Sequence, residues 1–357
     1  MSENSFVRRR WKLFLNIVTV IALLGLVYIV REQIFETISN IKKVHIWALL
    51  LLIPIKWLNN DAQTRLYRGL FKVVGNTLSY KFLFKASLEL NFVNSVFPSG
   101  GVSGISYFGM RMRSNDISGG KATVVQLMKL LLLFLSFEIL LVLGLLFMAI
   151  GGRVNDVVML AAGSLSTLLL IGTVAFVMII GHQKRIDASF TAITKALNWL
   201  IRTIRPKHPE AINIDSVRSS VYELHHNYKR IESQYKQLKL PFVWALVANI
   251  TEVLAVYVVY IAFDQWVNLG AVILAYSIAN FAGLVSVLPG GVGIYEALMT
   301  AVLVTAGVPA AVSLPVTVMY RILSMGVQLP IGFYFYNKAI HSRVNQQPSA
   351  LPPPGKV

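Results

Sequence analysis

The residues best able to do chemistry in this chain are charges set inside apolar runs. Lys129, Glu138, Glu252 and Arg321 each interrupt a long apolar stretch. Glu296 ends a Gly-rich break, "LPGGVGIYE". An ionised side chain inside a bilayer costs about 3 kcal/mol and survives where it faces a bundle interior or a watery cavity. The two cations, Lys129 and Arg321, suit a headgroup phosphate. The three carboxylates, Glu138, Glu252 and Glu296, can balance that charge or carry a proton. The same five residues can equally be internal ion pairs that fix helix register. Lys129 falls within the first turns of its span, from which it can snorkel to the interface. Arg321 lies deeper, where a cavity or a carboxylate is its expected partner.

The breaks are the second candidate. Pro98, Gly100 and Gly101 lie in "PSGGVSG"; Pro289, Gly290, Gly291 and Gly293 lie in "LPGGVG". Pro and Gly are the poorest helix-interior residues. Non-helical backbone at membrane depth is tolerated only where protein or water surrounds it. A half-helix starts after each break, near Val102 and Val292. Its free N–H groups and positive dipole end face the tip. Such an end binds anions, phosphate first among them. Alternatively the Gly and Pro residues only permit a tight hairpin and close helix packing. Asn91, Asn280, Tyr295 and Tyr320 are polar neighbours that can bridge helices.

Nothing comparable points to an enzyme or a cofactor. The six histidines fall in loops or interfacial segments without metal-ligand spacing, and there is no cysteine. Neither a phosphate-binding P-loop nor a serine nucleophile elbow is present. No cofactor and no metal are expected.

The elements that must position these residues are membrane helices. Of the 357 residues, 55% are hydrophobic and 14% charged, and the mean hydropathy is +0.63. Lys plus Arg number 33 against 16 acids, a net charge of +17. In a chain this apolar, that excess reads as basic cytoplasmic loops rather than as nucleic-acid binding. The N-terminal apolar stretch, without a small-residue cleavage site after it, reads as an uncleaved span over 11–30. An interfacial helix over 31–44 follows, then apolar segments near 45–58, 82–97, 122–150, 157–180, 241–263, 269–288 and 311–336. Residues 59–81 read as a polar, basic loop.

Residues 182–240 carry two helical apolar stripes, one from Ile186 to Ile204 and one from Val217 to Leu238. They predict a cytoplasmic helical hairpin that packs on itself, on the bundle, or on a partner or lipid surface. The boundaries expected are a first membrane repeat with its connecting span (1–181), this hairpin (182–240), a second membrane repeat (241–340) and a disordered Pro-rich tail (341–357).

Loop charges agree with one another only if 82–110 enters and leaves from the cytoplasm and 268–306 from outside. Both termini are then cytoplasmic, in the inner (cytoplasmic) membrane. Three sequence matches recur in one order: "NFVNSVFPSGGV" with "NFAGLVSVLPGGV", "VVQLMKLL" with "VTVMYRIL", and "WALLLL" with "WALVAN". The fold class predicted is an all-α polytopic membrane protein. Its inverted-topology repeat has about six full spans and two re-entrant helical hairpins, about eight membrane segments in all.

"LPGGVGIYE", "PSGGVSGISYFGMRMR" and "VTVMYRIL" resemble the motifs of the lysylphosphatidylglycerol synthase transmembrane-region, or flippase-like, family. The resemblance covers roughly residues 10–340. Ser99 stands where a second Gly is more typical. In two-domain members of that family a soluble C-terminal domain attaches amino acids to the lipid. Here only a short tail follows the last span, so the expectation is a stand-alone member without that activity. The resemblance implies lipid translocation and touches Pro289, Gly290, Gly291, Gly293, Glu296 and Arg321.

The function expected is a flippase moving a phospholipid, carrier lipid or glycolipid, with a membrane lipid of anionic headgroup as its partner. The alternative is a non-transporting scaffold that docks a cytoplasmic glycosyltransferase or lipid synthase through 182–240. A lipid-modifying enzyme comes third.

Overall fold

The computed structural model describes residues 31–41, 44–97, 102–150, 156–182, 226–285 and 292–346, with Arg185 and a few positions between 21 and 29. Among them every regular element is helical: α1 (Arg31–Ile41), α2 (Ile46–Leu50), α3 (Leu52–Val73), α4 (Tyr80–Val96), α5 (Val102–Arg113), α6 (Gly119–Ile150), α7 (Asp156–Ile180), α8 (Lys239–Ala262), α9 (Leu269–Val285), α10 (Ile294–Thr305) and α11 (Ala310–Gln346). Three described helical stretches are long and apolar enough to cross a membrane: Gly119–Ile150, Tyr235–Ala262 and Ala310–His341. Shorter apolar helices, Ala162–Ala175, Leu269–Asn280 and Ile294–Thr305, accompany them. The described residues are therefore all-helical in their regular structure, and the chain is a multi-pass integral membrane protein.

The main departure from the sequence reading is α3. A loop was expected over 59–81, yet the helix runs on to Val73 and the connection is only 74–79. Asn59, Asn60, Asp61 and Thr64 are buried rather than exposed. Leu66, Leu70 and Phe71 continue the apolar period on the same helix. Inside a bundle polar side chains turn inward, so polarity along the chain does not mark a loop there.

Two helix pairs run antiparallel in close register. His45 N–H donates to the Ala262 carbonyl at 2.8 Å, where α2 begins and α8 ends. Lys56 faces Glu252, Asn59 donates to the Ala248 carbonyl at 2.8 Å, and Gly69 meets Pro241. α6 and α9 pair in the same sense. Gly270 lies against the backbone of Gly144 and Met148, and Phe137 against Tyr276. A Cβ at Gly270 would stand 2.3 Å from the Gly144 carbonyl oxygen, so only glycine allows that approach. Likewise Gly332 of α11 packs on Leu88 and Phe92 of α4.

The second stripe of 182–240 is described from residue 226 onward. Tyr228 and Ile231 are buried in one cluster with Leu66, Leu70 and Val73 of α3. Burial raises the Tyr228 phenol above its ordinary pKa. This end of the stripe packs on the bundle. The first stripe, and the second up to residue 225, lie outside the described residues.

Candidate functional site

Glu296 occupies the first turn of α10. Its Oε2 accepts the Gly293 N–H at 2.7 Å, closing the helix start on itself. Gly293 has φ +89°, a left-handed conformation that favours glycine. The other carboxylate oxygen, Oε1, pairs with Arg321 Nη1 and accepts from Gln33 Nε2 of α1 at 3.2 Å. Both charged side chains are buried, Arg321 at 7% and Glu296 at 4% exposure. The Arg321 guanidinium also lies over the Tyr295 ring, 5.0 Å from its centroid. Glu296 thus does two things with one carboxylate: it caps the start of α10 and neutralises a buried cation.

Glu252 sits in a second cluster. Its Oε2 takes Lys56 Nζ at 2.6 Å and the Tyr320 hydroxyl at 2.7 Å. Lys56 is 5.0 Å from the Tyr320 ring centroid. Tyr320 and Arg321 are consecutive in α11, and each meets one of the two carboxylates. The clusters are therefore neighbours on α11, joined by the Tyr320–Arg321 step.

Lys129 behaves differently from the snorkelling expectation. α6 starts at Gly119, three residues before the expected span, so Lys129 is three turns in and only 8% exposed. Its Nζ donates to Gln63 Oε1 at 2.9 Å and to the Tyr67 hydroxyl at 3.0 Å. The Tyr67 hydroxyl donates in turn to Gln126 Oε1 at 2.8 Å, and Gln63 donates to Asn59 at 2.7 Å. Lys129 and Arg321 share none of these partners. Glu138, half-buried on the same helix, meets Ser166 of α7, and its Oε2 is buried without a hydrogen-bond partner. Pro98, Gly100, Gly101, Pro289, Gly290 and Gly291 lie outside the described residues.

Sequence reading missed three groups. Lys56 stands inside the expected span 45–58, where the rule that flagged Glu252 applies equally. Glu89, 1% exposed, pairs with Arg111 at 2.7 Å and accepts from Tyr107 at 2.8 Å. It interrupts the apolar segment 82–97 and carried the same signal. The buried amides Asn59, Asn60 and Asn249 had no such signal, because amides are common in loops. Asn249 donates to Ser136 of α6 and to the Leu133 carbonyl, tying α8 to α6.

The comparisons with known proteins agree on a family. A UPF0104 membrane protein of Methanothermobacter thermautotrophicus is 32% identical over 108 residues, 30% of this chain and 32% of that protein. Another, of Pyrococcus horikoshii, is 21% identical over 143 residues, 38% and 43% of the two chains. A second M. thermautotrophicus protein of the same designation is 26% identical over 116 residues, 32% and 34% of the chains. The chain therefore matches between about a third and two-fifths of the length of these curated relatives. The model of the lysylphosphatidylglycerol synthase transmembrane region matches residues 14–332, nearly the whole chain, and the protein belongs to that family.

Proposed function

We propose that this protein moves a phospholipid, carrier lipid or glycolipid across the cytoplasmic membrane, acting as a transporter rather than an enzyme. The observation that carries the reading is the pair of neighbouring buried charge clusters, Glu296–Arg321 within the second half and Lys56–Glu252 across the two halves. Charged pairs inside a membrane bundle are rare and characteristically mark substrate or ion pathways.

The inverted-topology repeat is part of the same proposal. Its first half places α2–α3, α4, α5 and α6 where the second places α8, α9, α10 and α11. The antiparallel contact of α3 with α8 supports it. So do the matching contacts of α6 with α9 and of α11 with α4. Lys56 and Glu252 fall one residue apart in the "WALLLL" and "WALVAN" alignment, as expected of a pair beside the pseudo-twofold axis. The tips of the two hairpins then approach the midplane from opposite sides, and rocking of one half on the other carries the headgroup between them. Lys129, Glu138, Glu252, Glu296 and Arg321 keep the roles their chemistry fits, headgroup binding for the cations and charge balance for the carboxylates.

The scaffold reading has less surface to work with, because Tyr228 and Ile231 are already used against the bundle. The test is reconstitution into liposomes carrying labelled phospholipids or polyprenyl phosphates. Arg321→Ala and Glu296→Gln should each slow lipid movement at least about tenfold, the loss expected when a charge-assisted contact goes. Wild-type movement in both variants would remove the assigned roles.

A further inference from the structure

Three cations are buried among the described residues, and two of them have a carboxylate: Arg321 has Glu296 and Lys56 has Glu252. Lys129 has only Gln63 and Tyr67, both neutral. A buried cation without a counter-charge is costly, and an anion that arrives as ligand removes the cost. An ammonium has three N–H donors, and the two described bonds use two of them.

A second, independent observation lies one turn away. Asn60 is 4% exposed, and neither its amide nitrogen nor its amide oxygen has a hydrogen-bond partner. Lys56, Asn60, Gln63 and Tyr67 follow at steps of four, three and four, so they share one face of α3. That polar face is about 16 Å long at the helical rise per residue. The Lys56–Glu252 pair stands at one end and Lys129 at the other.

We propose that this face of α3, with Lys129 of α6, is the binding site for a phosphate-bearing headgroup. Lys129 takes the oxyanion, and Asn60 offers an N–H to a second phosphate oxygen and a carbonyl to a hydroxyl beside it. The inference rests on the transport reading and places the first phosphate contact at Lys129, the buried cation that no described carboxylate balances. A lipid headgroup and free phosphate present the same oxyanion.

The experiment uses the full chain in phosphatidylcholine nanodiscs, titrated with labelled phosphatidylglycerol, with inorganic phosphate as competitor. Lys129→Met should weaken phosphatidylglycerol binding about tenfold or more, and Lys129→Arg should restore most of it. Asn60→Ala should weaken it about threefold to tenfold. It should leave the melting temperature unchanged or raised, since it removes a buried amide without partners. Displacement by inorganic phosphate, with the same Lys129 dependence, supports the site with free phosphate as occupant. Wild-type binding by Lys129→Met and Asn60→Ala overturns it. So does a destabilised Asn60→Ala with unchanged binding. Binding is read without transport. A chain that binds in this way yet moves no lipid removes the transport reading and leaves the site. A chain whose Lys129→Met form moves lipid normally and binds phosphatidylglycerol normally does the reverse.

Discussion

Glu296 joins three parts of the molecule through one carboxylate: the start of α10, Arg321 of α11 and Gln33 of α1. Removing one partner of a buried pair leaves the other charge uncompensated. Glu296→Gln should therefore cost about 3 kcal/mol in detergent-solubilised thermal unfolding. Its amide oxygen can still accept from Gly293, so Glu296→Ala should cost about 1 kcal/mol more by losing the cap as well. The double variant Glu296→Gln, Arg321→Met should recover part of the loss, because no charge is left stranded. A double variant as unstable as the sum of the singles would mean that the pair is not coupled. The Lys56–Glu252 pair should behave alike in a cycle of Lys56→Met and Glu252→Gln. These residues were largely legible in the sequence, since a charge in an apolar run has few innocent explanations. Their partners were not. Glu296 with Arg321, and Glu252 with Lys56, are chosen by packing between segments far apart in the chain.

At the scale of the element, the helix boundaries were mostly readable from apolar runs and turn residues. α4, α6, α7, α8 and α9 begin and end within about three residues of expectation, the usual uncertainty of helix ends. α3 was misread because Asn59, Asn60 and Asp61 look like a loop until the neighbouring helices are in place. Close approach was also hidden, because a glycine in an apolar run announces neither a contact nor its absence. Gly270→Ala puts a methyl against the Gly144 carbonyl oxygen, and no flexible side chain is there to give way. It should destabilise by about 2 kcal/mol as α6 and α9 are forced apart. Gly326→Ala meets nothing within 4 Å and should stabilise α11 by about 0.5–1 kcal/mol. Melting temperatures of the two variants, which should move in opposite directions, check both.

For the whole molecule, the absence of cysteine makes topology directly measurable. Asn115 and Ala310 are both exposed, in the connection after α5 and at the start of α11. The inverted repeat requires them on opposite faces of the membrane. Asn115→Cys should react with a membrane-impermeant maleimide only in inside-out vesicles, and Ala310→Cys only in right-side-out ones. Labelling of both from one side would end the inverted-repeat proposal.

Consecutive residues on an α-helix project about 100° apart. Tyr320 and Arg321 are such neighbours, and they hold Glu252 and Glu296 respectively. α11 is therefore gripped at two bearings around its circumference, one on α8 and one on α10. Turning it about its own axis would strain both grips at once, so the two ion clusters are coupled through the bearing of one helix. A rotation imposed about three turns further on, where Gly332 lies against α4, would be felt at both carboxylates together.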